Sequence, residues 1–239
     1  MTITRYISHY FEKEAGPLLN ICNLDRKQRA EIINREKDAD TGFNRYAHGE
    51  EFFDFRELAD DLLIEVYQRK IGMKPPRRPF YGVLGDGDVV GGLYRNPRKI
   101  KIPIEEFAEH EVTFMCPDHF HLVSFLSRSE GRMFGYQIPE DYSESLHPYF
   151  GKLLTYQELV ESFQTLEIDL YLKRHRAENH WYRYVEAQIW SDPELLSERY
   201  AISYEVSSES YTINGVTYAN HCLPRKAEQD TAGQSATAE

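Results

Sequence analysis

"YRYVEAQIWSDPELL", residues 182–196, contains the stretch that decides the fold. Its apolar residues alternate with a period of two, which predicts a β-strand with Val185, Ala187 and Ile189 on one face. The other face then carries Tyr184, Glu186, Gln188 and Trp190. One interpretation of Glu186 is a solvent-facing position on a half-exposed sheet. We favour the floor of a cleft, where the aromatic residues form the walls and Gln188 hydrogen-bonds a ligand hydroxyl or amide.

Elements of both kinds are predicted around this strand. "TITRYISHYF" (2–11) reads as a strand that places Arg5 and His9 on one face. Further strands are predicted at 80–85, 99–104 and 111–115. Helices are predicted at 25–38, 48–72 and 155–163, and a hairpin at 212–217. The predicted fold class is α+β, with N-terminal helices packed on a mostly antiparallel, twisted or split β-sheet.

The chain length fits one substantial core. With 239 residues, of which 41% are hydrophobic, residues 1–223 are expected to form a single globular domain. Residues 224–239 lack apolar anchors and are expected to be a disordered tail.

Charge and cysteine content restrict the partners and the compartment. The 28 Lys and Arg residues against 39 Asp and Glu give a net charge of -11, which argues against general nucleic-acid binding and against an anionic membrane surface. No apolar run approaches the roughly 18 residues of a membrane span. Cys22, Cys116 and Cys222 are widely spaced, which indicates neither a disulfide framework nor a cysteine zinc site. We therefore expect a cytoplasmic protein.

Two histidines in "CPDHFHLVSF" (116–125) raise the question of a metal site. On a strand, His119 and His121 would share a face and could bind a divalent metal together with a carboxylate. If the segment after Asp118 is instead a capped helix, the two imidazoles point in different directions. Because a third ligand is not evident, we expect no bound metal, and a metal-dependent hydrolase stays as an alternative.

The basic connector "KPPRRP" (74–79) is a second candidate site. Arg77 and Arg78 could bind a phosphate while Tyr81 stacks on a base or ring. The alternative is a solvated basic loop without a ligand.

Several motifs carry a family resemblance. Over about residues 1–196 the chain resembles a family of uncharacterised bacterial proteins, through "SHYFE", "PFYGVLG", "VTFMCPD", "TYQELV" and "VEAQIWSD". That family implies no particular activity.

The order of elements is also similar to that of ADP-ribosyltransferase folds, which place a catalytic glutamate on a late strand. This resemblance implies that Arg5 or His9 holds NAD, that Tyr81 belongs to the aromatic strand, and that Glu186 is the catalytic carboxylate. The common Glu/Gln-x-Glu form would have a second glutamate where this chain has Gln188, so the resemblance is to the single-glutamate variant.

The hypothesis from the sequence is therefore an intracellular ADP-ribosyltransferase-like enzyme or NAD glycohydrolase, with NAD as its substrate and a small-molecule nucleotide as its ligand. The alternative class is a non-enzymatic binding or regulatory protein whose aromatic face docks a protein partner. Convergence of Arg5, His9, Tyr81 and Glu186 around one concave pocket would favour the enzyme.

Overall fold

The computed structural model describes residues 5–38, 44–116, 118–127, 138, 142–164, 184–192, 211–213 and 216–218. The predicted tail at 224–239 lies outside these residues. Within them, no helix is both long and apolar enough to cross a membrane.

Three of the helices lie within two residues of the predicted bounds, and a further single turn at Asp88–Gly91 was not predicted. They are α1 (Arg26–Glu36), α2 (Glu50–Ile71), the single turn α3 (Asp88–Gly91) and α4 (Tyr156–Gln164). Asp25 caps α1, since its side chain accepts a hydrogen bond from the Gln28 backbone N–H and Gln28 bonds back to the Asp25 N–H. Gly72 ends α2 at a φ of 80°, a left-handed conformation that favours glycine. Shorter helical turns occupy Ile21–Asn23, Arg45–His48, Ile104–Glu106, Glu109–Glu111 and Val123–Ser127.

Six strands form one open antiparallel sheet, which confirms the α+β class. The strands are β1 (Tyr6–Glu12), β2 (Phe80–Leu84), β3 (Pro97–Pro103), β4 (Val112–Met115), β5 (Leu153–Leu154) and β6 (Glu186–Ile189). Their order across the sheet is β3-β1-β2-β6-β4-β5. The predicted hairpin is confirmed separately, because β7 (Tyr211–Ile213) pairs antiparallel with β8 (Val216–Tyr218).

The alternation predicted for β6 is confirmed, and each face of the sheet is covered. Val185, Ala187 and Ile189 are buried in one core cluster together with Leu159 of α4. On the opposite face, α2 packs over the sheet and buries Trp190 against its own side chains. Glu186 therefore lies between the sheet and α2 rather than toward solvent.

Strands β1 and β2 pair over a short stretch near the middle of the sheet. Among the described residues, the register between β1 and β2 is the single pair Ser8 and Val83. The backbones approach closely there, since a Cβ atom at Gly82 would lie 2.5 Å from Ile7 Cγ2 and 2.9 Å from the Ser8 carbonyl oxygen. Glycine is therefore required at this crossing. Beyond it, the C-terminal half of β1 and the N-terminal half of β2 both border a cavity.

Candidate functional site

Glu186 is a buried carboxylate with fixed orientation. Its residue is 6% exposed, so the interpretation as a solvent-facing strand position is wrong. Oε1 accepts hydrogen bonds from the His119 backbone N–H at 3.1 Å, from His119 Nδ1 at 2.9 Å and from Gln188 Nε2 at 2.8 Å. Oε2 lies 3.0 Å from His119 Nδ1. These donors hold the carboxylate in one position at the cavity wall.

His119 lies between two carboxylates. It follows β4 in the chain, and its Nε2 lies 3.4 Å from Asp60 Oδ1 on α2 while Nδ1 faces Glu186. Its ring stacks on Tyr81 of β2 with centroids 4.2 Å apart. Burial alone would lower the pKa of His119, but the Glu186 charge and the contact with Asp60 outweigh it and raise the pKa to about 9. The imidazole is therefore positively charged at neutral pH.

Asp60 joins α2 to the sheet. Its fully buried carboxylate accepts hydrogen bonds from the Tyr81 hydroxyl at 2.5 Å and from Asn20 Nδ2 at 2.9 Å. Burial disfavours its charge, but Arg56 in particular, with His119 and Tyr81, holds the pKa of the Asp60 carboxyl well below its usual range. Asp60 is therefore a permanent negative charge beneath α2.

Arg56 supplies a cation on the preceding turn of the same helix. It is 7% exposed, and its Nε lies 3.5 Å from Asp60 Oδ1. The guanidinium carbon lies 4.5 Å from the ring centre of Tyr81 and 5.2 Å from that of Phe120. Neither Arg56 nor Asp60 is among the site residues predicted from the sequence. A sequence pattern could have identified them, because these two charged residues, four positions apart, fall on the helix face that buries Phe52 and Leu63.

These residues border a cavity of about 150 Å³. One group of lining side chains comes from β2, β6, α2 and the segment after β4, namely Tyr81, Glu186, Arg56, Asp118, His119 and Phe120. A second group comes from α1, the turn at 44–46 and the segment at 93–95, with Arg45, Tyr46 and Tyr94 among its members. The site is concave, as a ligand pocket requires.

The structure brings three of the five predicted site residues to this cavity. His9, Tyr81 and Glu186 line it, whereas Arg5 and Gln188 do not. Arg5 is exposed at the start of β1. Gln188 is fully buried, accepts a hydrogen bond from the Thr113 hydroxyl at 3.0 Å and donates to Glu186, so it orients the carboxylate instead of meeting a ligand.

His9 is already fully engaged by the backbone. Its Nδ1 donates to the Tyr81 carbonyl oxygen at 2.7 Å, and its Nε2 accepts from the Leu18 N–H at 2.9 Å. Burial lowers the pKa of His9 to about 4, although the hydrogen bond to Tyr81 acts in the opposite direction. Because the ring is neutral and both of its nitrogens are hydrogen-bonded to backbone groups, His9 links β1 to β2 and offers no free group to NAD.

This state of His9 predicts an acid-sensitive fold. Because the folded-state pKa lies below the ordinary value of 6.5, the unfolded chain takes up the proton first, so stability is present above pH 6.5 and is lost toward pH 4. The contribution is on the order of 3 kcal/mol. Urea titrations at several pH values should show a shallower loss for His9→Gln than for the wild type in this window. Equal slopes for the two proteins would contradict the assignment.

The two histidines of the metal hypothesis point to different partners. The segment after Asp118 is the capped helical alternative and not a strand, since residues 121–127 are helical and Asp118 Oδ1 accepts from the Phe120 N–H at 3.1 Å. His121 Nδ1 contacts the same Asp118 oxygen at 2.9 Å, whereas His119 faces Glu186. In the part of the chain that the structure describes, no group of three or more His, Cys, Asp or Glu residues could hold a metal ion.

The basic connector is occupied by ion pairs. Arg77 lies 3.0 Å from Asp192, and Arg78 lies 2.6 Å from Asp61 and 3.8 Å from Asp60. The predicted phosphate contact of these arginines would therefore have to compete with carboxylates already in place.

No protein-family model, curated protein or solved structure matches this chain.

Proposed function

We propose that this chain is an NAD-using enzyme of the ADP-ribosyltransferase or NAD glycohydrolase type, with Glu186 as the catalytic carboxylate. The observation that carries the proposal is a buried, fully oriented glutamate at the wall of a concave cavity. Loss of nicotinamide from NAD leaves positive charge on the ribose, and a preorganised carboxylate in a dry site stabilises such charge strongly.

The hydrogen bonds of Glu186 support this role. Oε1 accepts three hydrogen bonds, whereas Oε2 shares only the longer branch of the His119 Nδ1 bond among the described residues. Oε2 can therefore face the positive charge that develops on the ribose, or accept a hydrogen bond from a hydroxyl of the acceptor. The His119 imidazolium pairs with this carboxylate and fixes its direction.

The shape of the site favours an enzyme over the alternatives. A surface that docks a folded partner is expected to be flat, whereas Glu186 lines a cavity shared by β1, β2, β6 and α2. The divergent contacts of His119 and His121 do not favour the metal-dependent hydrolase. We place the reaction in the cytoplasm, since Cys22 and Cys116 are buried free thiols.

The test is NAD consumption by the purified wild-type protein, followed as nicotinamide release by chromatography. We expect slow release with water as the acceptor and faster release once a suitable acceptor is supplied. A folded protein that neither binds nor consumes NAD would refute the proposal and favour the docking protein.

A further inference from the structure

Arg56 is a buried cation with unused hydrogen-bonding capacity. Among the described residues, its guanidinium makes no hydrogen bond, and its Nε is buried without an acceptor. A guanidinium carries several N–H donors, and burying them without acceptors is costly. Its position on the cavity wall makes a ligand the natural source of those acceptors.

The described contacts of the Arg56 guanidinium are two aromatic rings and the Asp60 carboxylate. Tyr81 and Phe120 approach the guanidinium carbon through their rings, which hold the planar group in place. The nearest carboxylate, Asp60, is already bonded to Tyr81 and Asn20. A planar guanidinium held by rings presents its N–H edge, and that edge matches two oxygens of a phosphate.

Helix α2 sets the order of groups along the cavity. Phe52, Arg56 and Asp60 lie on successive turns of α2 and are all buried. Phe52 contacts Tyr46 with ring centroids 6.0 Å apart, whereas Asp60 contacts His119 beside Glu186. Arg56 therefore lies on α2 between the turn that contacts Tyr46 and the turn that contacts His119 beside Glu186.

The cluster of Tyr46, Tyr94 and Arg45 can bind a planar base. Arg45 lies 5.3 Å from the ring centre of Tyr46 and 4.9 Å from that of Tyr94, so these side chains form one cluster. Aromatic rings with an arginine are favourable stacking surfaces for nucleobases.

We propose that Arg56 binds the diphosphate of a nucleoside diphosphate ester, with the base toward Tyr46 and Tyr94 and the reacting ribose toward Glu186. This assignment rests on the proposed function for the identity of the ester as NAD, but the anion site stands on the guanidinium of Arg56, which pairs with Asp60 yet has a buried Nε without a hydrogen-bond acceptor. It replaces Arg5 and His9, which the family resemblance implies as the groups that hold NAD.

The test is calorimetric titration of the wild type, Arg56→Lys and Arg56→Met with ADP-ribose, pyrophosphate and adenosine. Arg56→Met is expected to weaken ADP-ribose binding roughly 10- to 100-fold and to leave adenosine binding within about threefold. Arg56→Lys should fall between, because a lysine is a point charge without the two-pronged geometry. Arg69→Met removes an exposed guanidinium from the same helix and should behave as the wild type.

The inference is overturned if the wild type binds ADP-ribose no more tightly than adenosine, or if folded Arg56→Met keeps its ADP-ribose affinity. Should Arg56→Met fail to fold, an unchanged ADP-ribose affinity in Arg56→Lys overturns it, and a weakened one supports it. Arg56-dependent binding of ADP-ribose without NAD consumption would refute the proposed reaction alone. NAD consumption with a KM that Arg56→Lys leaves unchanged would refute the anion site alone.

Discussion

Glu186→Gln is expected to lower the rate of NAD consumption by roughly 100-fold or more, which corresponds to about 3 kcal/mol of transition-state stabilisation. The amide keeps the size of the side chain but removes the charge that opposes the developing cation on the ribose. Because that interaction strengthens in the transition state, kcat should fall while KM changes little. Steady-state kinetics of nicotinamide release, on protein whose fold is checked by circular dichroism, measures both quantities.

The contacts of Glu186 also predict a stability cost for this variant. The carboxylate pairs with the buried His119 imidazolium, so the amide leaves that charge less well compensated. We expect a loss of about 1 to 3 kcal/mol, and the assay temperature must lie well below the melting transition of the variant. Glu65→Gln, the same change at an exposed position of α2, is the matched control and should alter neither rate nor stability. A folded Glu186→Gln protein with wild-type kcat would exclude Glu186 as the catalytic carboxylate.

Asp60→Asn is expected to destabilise the fold by about 3 to 5 kcal/mol, because it removes the anion that faces several buried cations. Asp60 lies within 4 Å of charged groups on Arg56, Arg78 and His119. Asparagine keeps the volume and the bond to Tyr81, but it leaves Arg56 without a carboxylate partner among the described residues and removes one of two partners from Arg78 and His119. For a chain of this size the loss corresponds to a melting temperature lower by roughly 6 to 20 °C.

The neighbouring residue provides the control. Asp61 also pairs with Arg78, at 2.6 Å, but its side chain is 59% exposed. Asp61→Asn should therefore cost no more than about 1 kcal/mol, since water screens exposed ion pairs. Calorimetric melting of the two variants beside the wild type makes the comparison. Similar melting temperatures for Asp60→Asn and Asp61→Asn would show that burial does not increase the contribution of Asp60 to the stability of the fold.

The sequence by itself determined the three longer helices, most of the strands and the direction of the β6 side chains. Alternation over 184–190 predicts which face of β6 enters the apolar core, because successive strand residues point to opposite sides. Capping residues such as Asp25 and Gly72 mark the helix ends through bonds to residues only a few positions away. These features are local, so they can be read from the chain without knowing what packs against what.

Only the tertiary structure decided which groups surround Glu186. His119 lies 67 positions away in the chain, yet it supplies two of the donors to this carboxylate, and Asp60 and Arg56 arrive on a helix that no local pattern assigns to β6. The same holds for His9, for which the family resemblance implies a contact with NAD, but whose nitrogens are taken by the backbone of Tyr81 and Leu18. Burial, charge compensation and the resulting pKa shifts depend on distances between remote segments. A sequence pattern determines which side chains share a face of a strand. The packing of α2 on the sheet determines which groups those side chains contact.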